Sequence, residues 1–214
     1  MKKRYLATAI AALTILLAGC QSFNHRTPDW TIHDPDVALR MLLDGNARFV
    51  SNNLMPRTTN KQDLEILSVG QWPFAVIITC SDSRVAPEIY FDQKLGDIFV
   101  IRNAGNIADS TALGSMEYAL EHLGTKLVVV VGHESCGAVH GAFAHGHDAP
   151  ANLQGILDTV LRNTQESQTA EDAVFENIAS VKKTIEADEV VKATGAMVVG
   201  AFYEISTGRV TLVD

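Results

Sequence analysis

Two short runs hold most of the side chains in this sequence that could carry out chemistry: Cys80-Ser81-Asp82-Ser83-Arg84 and His133-Glu134-Ser135-Cys136. Two thiolates and an imidazole are borderline-soft ligands that suit tetrahedral Zn²⁺. Three protein ligands leave the fourth position to water, the pattern of catalytic rather than closed structural zinc sites. Cys80, His133 and Cys136 are therefore the candidate ligands, for one Zn²⁺ per chain. Asp82 and Arg84, beside the first cysteine, would act around that ion rather than on it. Each residue also has a plainer reading: a lone cysteine at a strand end is usually inert packing, and an Asp-x-Arg doublet is usually a simple ion pair. A Cys80 to Cys136 disulfide is the redox alternative, but it lacks Cys-x-x-Cys spacing and leaves His133, Asp82 and Arg84 unused. The combination, more than any one residue, points to a metal.

For the runs to meet, the segments before them must lie side by side. Residues 74–79 (Phe-Ala-Val-Ile-Ile-Thr) lead into Cys80, and 127–131 (Leu-Val-Val-Val-Val) lead through Gly132 into His133. Both are continuous apolar, β-branched runs of strand length, as is 97–102. Runs apolar on both faces suit a parallel sheet covered by helices on each side. The reactive side chains then fall at the carboxyl ends of strands, where open α/β sheets bind ligands. Helices are expected from Asp34-Pro35 through Phe49, from Asn60 to Gly70, and over 111–123, 137–143, 152–162 and 171–192. Two final strands, 197–205 and 209–213, are joined by a turn at Ser206-Thr207-Gly208. The expected fold is α/β: a mostly parallel central sheet flanked by helices, with an antiparallel edge strand, in one domain over 34–214. His140, His145 and His147 fall in a Gly/Ala-rich stretch that reads as an exposed irregular loop rather than a second metal site.

The chain has 214 residues, 47% hydrophobic and 20% charged, with three cysteines. Such a composition excludes collagen, coiled coils and polytopic membrane proteins, and suits a domain that buries its own core. Net charge is −8, and the rest of the chain beyond Lys2, Lys3 and Arg4 has 14 basic against 25 acidic residues. A surface so acidic repels phosphate backbones, so no nucleic-acid partner is expected. Those three basic residues precede an uncharged run over 5–17 and then Leu17-Ala18-Gly19-Cys20. The run is too short for a comfortable span, and the motif resembles the lipobox of bacterial lipoproteins. The resemblance implies a signal peptide over 1–19, lipid on Cys20, a tether over 20–33 and a periplasmic enzyme held to membrane by that lipid alone. Gln21, where an Asp would favour inner-membrane retention, favours the outer membrane. Cys80 and Cys136 would then be the remaining thiols in an oxidising compartment, to be paired, buried or metal-bound.

Cys-x-Asp-x-Arg followed by His-x-x-Cys resembles the signature of the β-class carbonic anhydrases. The similarity extends through Gln71-Trp72-Pro73-Phe74, the run from Gly96 to Asn106 (Gly-Asp-Ile-Phe-Val-Ile-Arg-Asn-Ala-Gly-Asn), Ser115-Met116-Glu117-Tyr118-Ala119 and Gly132-His133-Glu134-Ser135-Cys136-Gly137-Ala138-Val139. It implies reversible hydration of carbon dioxide to bicarbonate and a proton, by zinc-bound hydroxide oriented by the Asp82-Arg84 dyad. It also implies a homodimer, or a higher even oligomer, with active sites at the subunit interface. Gln71, Phe99 and Tyr118 match residues that line the substrate pocket in plant-type members, with Gln71 as the donor to a developing carboxylate. Ala104 falls where a larger aliphatic side chain is common in the pocket wall. The family splits over the fourth zinc position, held by solvent in one design and by the motif aspartate in the other. Ile77, where the second design has a Trp, favours solvent and an Asp82 paired to Arg84. Two rivals remain at this stage: a non-catalytic zinc-binding envelope protein, which would not need the dyad or Gln71, and hydrolysis of a carbon-sulfur analogue of CO₂.

Overall fold

A computed structural model describes residues 31–56, 59–145 and 149–213. The expected signal peptide, Cys20, most of the tether and His147 lie outside these residues. Five strands form one sheet: β1 (Ala75–Cys80), β2 (Ile98–Asn103), β3 (Leu127–His133), β4 (Met197–Glu204) and β5 (Arg209–Val213), in the order β2-β1-β3-β4-β5. The first four are mutually parallel, and β5 returns antiparallel on β4. The helices are α1 (Pro35–Val50), α2 (Lys61–Leu67), α3 (Pro87–Tyr90), α4 (Ser110–His122), α5 (Gly137–His145), α6 (Ala151–Asn163), α7 (Ala170–Glu186) and α8 (Glu189–Thr194), with a 3₁₀ turn over Ala104–Asn106.

Every residue of β1 and β3 is buried, as runs apolar on both faces require. Each Val or Ile so enclosed contributes roughly 1.5 to 3 kcal/mol. Thr79, the one polar side chain inside β1, donates from Oγ1 to Val131 O at 3.1 Å and so ties the two central strands together just before the chemistry begins. Register runs from Val76 against Val128 to Thr79 against Val131, which brings Cys80 and His133 out at the same edge. α7 lies close over β3: a Cβ on Gly132 would come within 2.7 Å of Ile178 Cδ1.

Helix starts follow local chemistry. Asp34 accepts from the N–H groups of Asp36 and Val37 ahead of Pro35, and Asn60 with Asp63 forms a capping box. Three expectations need correction. The single helix over 171–192 is two, because the Asp188 side chain accepts from Val190 N and Val191 N and so begins a new helix instead of continuing the old one. The stretch with His140 and His145 is helical, since alanine favours helix strongly enough to carry its glycines. The third concerns β2, whose apolar run is only half-buried: among the described residues it is the edge strand, paired on one side alone.

Candidate metal centre

β1 ends at Cys80 and β3 ends at His133, and the chain then reverses through Ser135, whose φ of 53° is in the left-handed region. That backbone costs a non-glycine residue roughly 1 to 2 kcal/mol, and it returns Cys136 to the same spot. The ligand atoms of Cys80, His133 and Cys136 all lie within 4.8 Å of one another, and all three residues are buried. Among the described residues, no other such group of His, Cys, Asp or Glu occurs.

The histidine's tautomer follows from its partner. Nδ1 lies 2.9 Å from Glu134 O, and since a carbonyl only accepts, Nδ1 carries the proton. Nε2 is left with its lone pair, fully buried and without a hydrogen-bond partner. An orphaned acceptor facing two sulfurs is costly unless a cation completes it, so these residues fit a metal that takes nitrogen and sulfur.

The two sulfurs are 3.9 Å apart, within hydrogen-bond reach of each other. A hydrogen bond donated by Cys136 pushes Cys80 down to about 4. The bond to Cys80, then burial, pushes Cys136 far up, although the N–H groups of Ala138 and Val139 at the start of α5 work the other way. A bound divalent ion would displace the Cys136 proton. Gly105 N–H also donates to Cys80 Sγ at 3.5 Å.

Arg84 grips Asp82 with a fork: Nε to Oδ1 at 2.9 Å and Nη2 to Oδ2 at 2.7 Å. That guanidinium holds the Asp82 carboxyl well below the usual carboxylate range. Arg84 Nη2 also reaches Ser135 O at 3.3 Å, tying the dyad to the turn between His133 and Cys136. The carboxylate is thus paired to Arg84 and stands outside the Cys-His-Cys group.

Of the expected pocket residues, only Ala104 borders this centre, one residue from Gly105 on the 3₁₀ turn. Gln71 precedes β1 and so lies toward the opposite end of that strand from Cys80. Phe99 is in register with Val76, four residues or about 13 Å along β1 from Cys80. Its ring centroid is 6.4 Å from that of Tyr118 on α4, which is 47% exposed. Gln71 and Tyr118 share an open groove of about 490 Å³ with Trp72 and His122. Within one chain, Gln71, Phe99 and Tyr118 therefore group with one another and away from the sulfurs. His140 is on α5 with Nε2 4.0 Å from Glu171, apart from the ligand group.

Sequence reasoning missed Arg102, whose Nε donates to Cys80 O at 3.1 Å and Nη2 to Asp82 O at 2.7 Å, clamping the loop that bears both side chains. A positive residue ending an apolar strand was the available signal. It also missed the backbone donor at Gly105, whose φ of 75° needs glycine.

Comparison with known proteins adds a family context. A family model described as carbonic anhydrase matches residues 75–210. Carbonic anhydrase 2 of Mycobacterium tuberculosis is 39% identical over 197 residues, covering 85% of this chain and 94% of the relative. Among solved structures, a Coccomyxa β-carbonic anhydrase in complex with acetazolamide aligns with a TM-score of 0.64 at 26% identity, over 69% of this chain and 75% of its own. One of two tetrameric β-carbonic anhydrases from Sordaria macrospora aligns at 0.63 and 29%, over 72% and 86%.

Proposed function

The chain belongs to the β-class carbonic anhydrases, and from that premise we propose that it hydrates carbon dioxide to bicarbonate and a proton at the Cys80, His133 and Cys136 centre, with Zn²⁺ as the metal. The observation that carries the proposal is the buried, partnerless Nε2 of His133 beside two sulfurs and a forked Asp82-Arg84 pair. When bound, zinc supplies Lewis acidity that makes water ionise near neutral pH. Because two thiolates cancel the formal charge of Zn²⁺, the surrounding residues must contribute more than they would beside three neutral imidazoles.

Asp82 is an acceptor with a fixed direction. Held ionised by Arg84, it can accept a hydrogen bond from the attacking oxygen and keep that atom's free lone pair toward the CO₂ carbon. As the new C–O bond forms, one C=O electron pair moves onto oxygen and the product carboxylate needs a donor. Gln71 supplies it in this reading, with Phe99 and Tyr118 giving an apolar wall and Ala104 a small one. Since Gln71, Phe99 and Tyr118 do not reach the sulfurs of their own chain, a second copy would contribute them, docked along the free edge of β2. The half-buried apolar face of β2 and the exposed Tyr118 support that arrangement.

Stopped-flow CO₂ hydration by zinc-loaded protein tests the proposal. Turnover that disappears on chelation and returns with zinc is the expected result, and zinc-loaded protein that leaves the uncatalysed rate unchanged refutes it. The lipobox-like Leu17-Ala18-Gly19-Cys20 supports periplasmic display on a lipid anchor, favouring the outer membrane. Mass spectrometry of the mature N-terminus should find lipid on Cys20, and an unmodified start beyond Cys20 would remove the anchor.

A further inference from the structure

The face of α7 that meets the sheet is apolar, formed by Ala173, Val174, Ile178, Val181 and Ile185, with one exception. Asn177 is 1% exposed in the middle of it. A buried amide costs stability unless it is hydrogen-bonded, and hydrophobic packing alone would be better served by leucine. Asn177 bridges two partners. Its Oδ1 accepts from Asn163 Nδ2 at 2.8 Å, and its own Nδ2 donates to Gly105 O at 2.9 Å. Gly105 is the residue whose N–H donates to Cys80 Sγ. It is also wedged in place: a Cβ there would come within 3.1 Å of Val160 Cγ2 and 3.2 Å of Ala138 Cβ.

We propose that Asn177 is a positioning residue of the metal centre: by holding the Gly105 carbonyl, it keeps the Gly105 N–H on the Cys80 sulfur. A hydrogen bond to a thiolate withdraws charge from it and weakens it as a donor, which leaves the metal a stronger Lewis acid. That matters most where two thiolates already cancel the cation's charge. The inference rests on the zinc reading above.

The test uses cobalt(II) in place of zinc in the full chain, read by its sulfur-to-cobalt charge-transfer band, together with zinc affinity by chelator competition. Asn177→Asp keeps the shape and, in its ionised form, cannot donate to a carbonyl. Its band is expected at longer wavelength than the parent's, because the freed sulfur donates more strongly, and zinc affinity is expected to fall about tenfold, because losing the fixed position of Cys80 outweighs that stronger donation. Asn177→Leu, which extends the apolar face and keeps the same branching of heavy atoms, should behave the same way and is read alone if the Asp variant does not fold. Asn163→Ala removes a neighbouring hydrogen bond without touching Gly105, so it should lower Tm and leave the band in place. An unmoved band and unchanged affinity in a folded Asn177 variant would overturn the assignment, as would an equal shift in Asn163→Ala. A parent protein with no such band would instead overturn the metal centre itself, and this inference with it.

Discussion

The carboxyl edge of β1 and β3 and the flank where β2 meets α4 were expected to form one site, and the single chain builds them to different degrees. At the first, the ligand atoms converge within 4.8 Å, the residues are buried and the dyad is forked. At the second, Gln71 and Tyr118 face an open groove, and among the described residues β2 has no strand on its outer side. The electrostatically demanding part comes from adjacent parallel strands, where hydrogen-bonded register sets positions to a fraction of an ångström. The part that needs only shape and one donor is left where a second copy can complete it.

The largest expected effect comes from breaking the finished half. Cys136→Ser should take zinc well below one per chain by metal analysis and cut CO₂ hydration by about 10³-fold or more, the scale of losing a metal-activated nucleophile. Zinc retained in full would remove Cys136 from the ligand set.

Next is the dyad. Asp82→Asn should keep the metal yet lose about 10²-fold in kcat, as does removal of one preorganised hydrogen-bonding group elsewhere. Arg84→Ala should lose less, because Asp82 keeps its bond from the Arg84 backbone N–H at 2.9 Å. Activity near that of the parent in both would leave a plain ion pair.

The flank is sharpened by mixing. Tyr118→Ala should lower kcat/KM by about tenfold for a lost apolar wall. Mixed with Cys136→Ser chains, it should recover activity, since a mixed dimer has one site with intact ligands from one chain and an intact wall from the other. No recovery after subunit exchange would make Gln71, Phe99 and Tyr118 ordinary surface.

The smallest effect is on stability against pH. A carboxylate whose folded pKa is depressed stabilises the fold above its unfolded value, about 4, and loses that contribution as pH falls through the folded value. Asp82→Asn should therefore lower Tm by the same small amount, about 2 °C or less, at pH 7 and at pH 5, with the gap closing only below pH 4. A gap that closes between pH 7 and 5 would mean Arg84 does not hold Asp82 in solution.

What was legible in the sequence was whatever depends on neighbours along the chain. The 74–79 and 127–131 runs announce buried parallel strands because each is apolar on both faces, and a strand followed at once by Cys80 or by His133 must deliver that side chain to the sheet's edge. The Asp82-Arg84 fork needs only two residues of separation. The break at Asp188 was legible in principle, since an Asp inside a helical pattern prefers to cap, but helical periodicity on both sides masked it.

The sequence by itself thus determined the sheet, the convergence of Cys80, His133 and Cys136, and the kind of metal they suit, because strand periodicity and ligand chemistry are local properties. Tertiary structure alone decided three things. It selected the His133 tautomer through the Glu134 carbonyl, it brought Asn177 to Gly105 across 72 residues, and it set Gln71, Phe99 and Tyr118 far from the sulfurs of their own chain. The Asn177 contact depends on which distant backbone carbonyl packing leaves unpaired, the tautomer on how the turn after β3 brings the adjacent carbonyl to the ring, and the distance of Gln71, Phe99 and Tyr118 on strand register; no local pattern of residues encodes these.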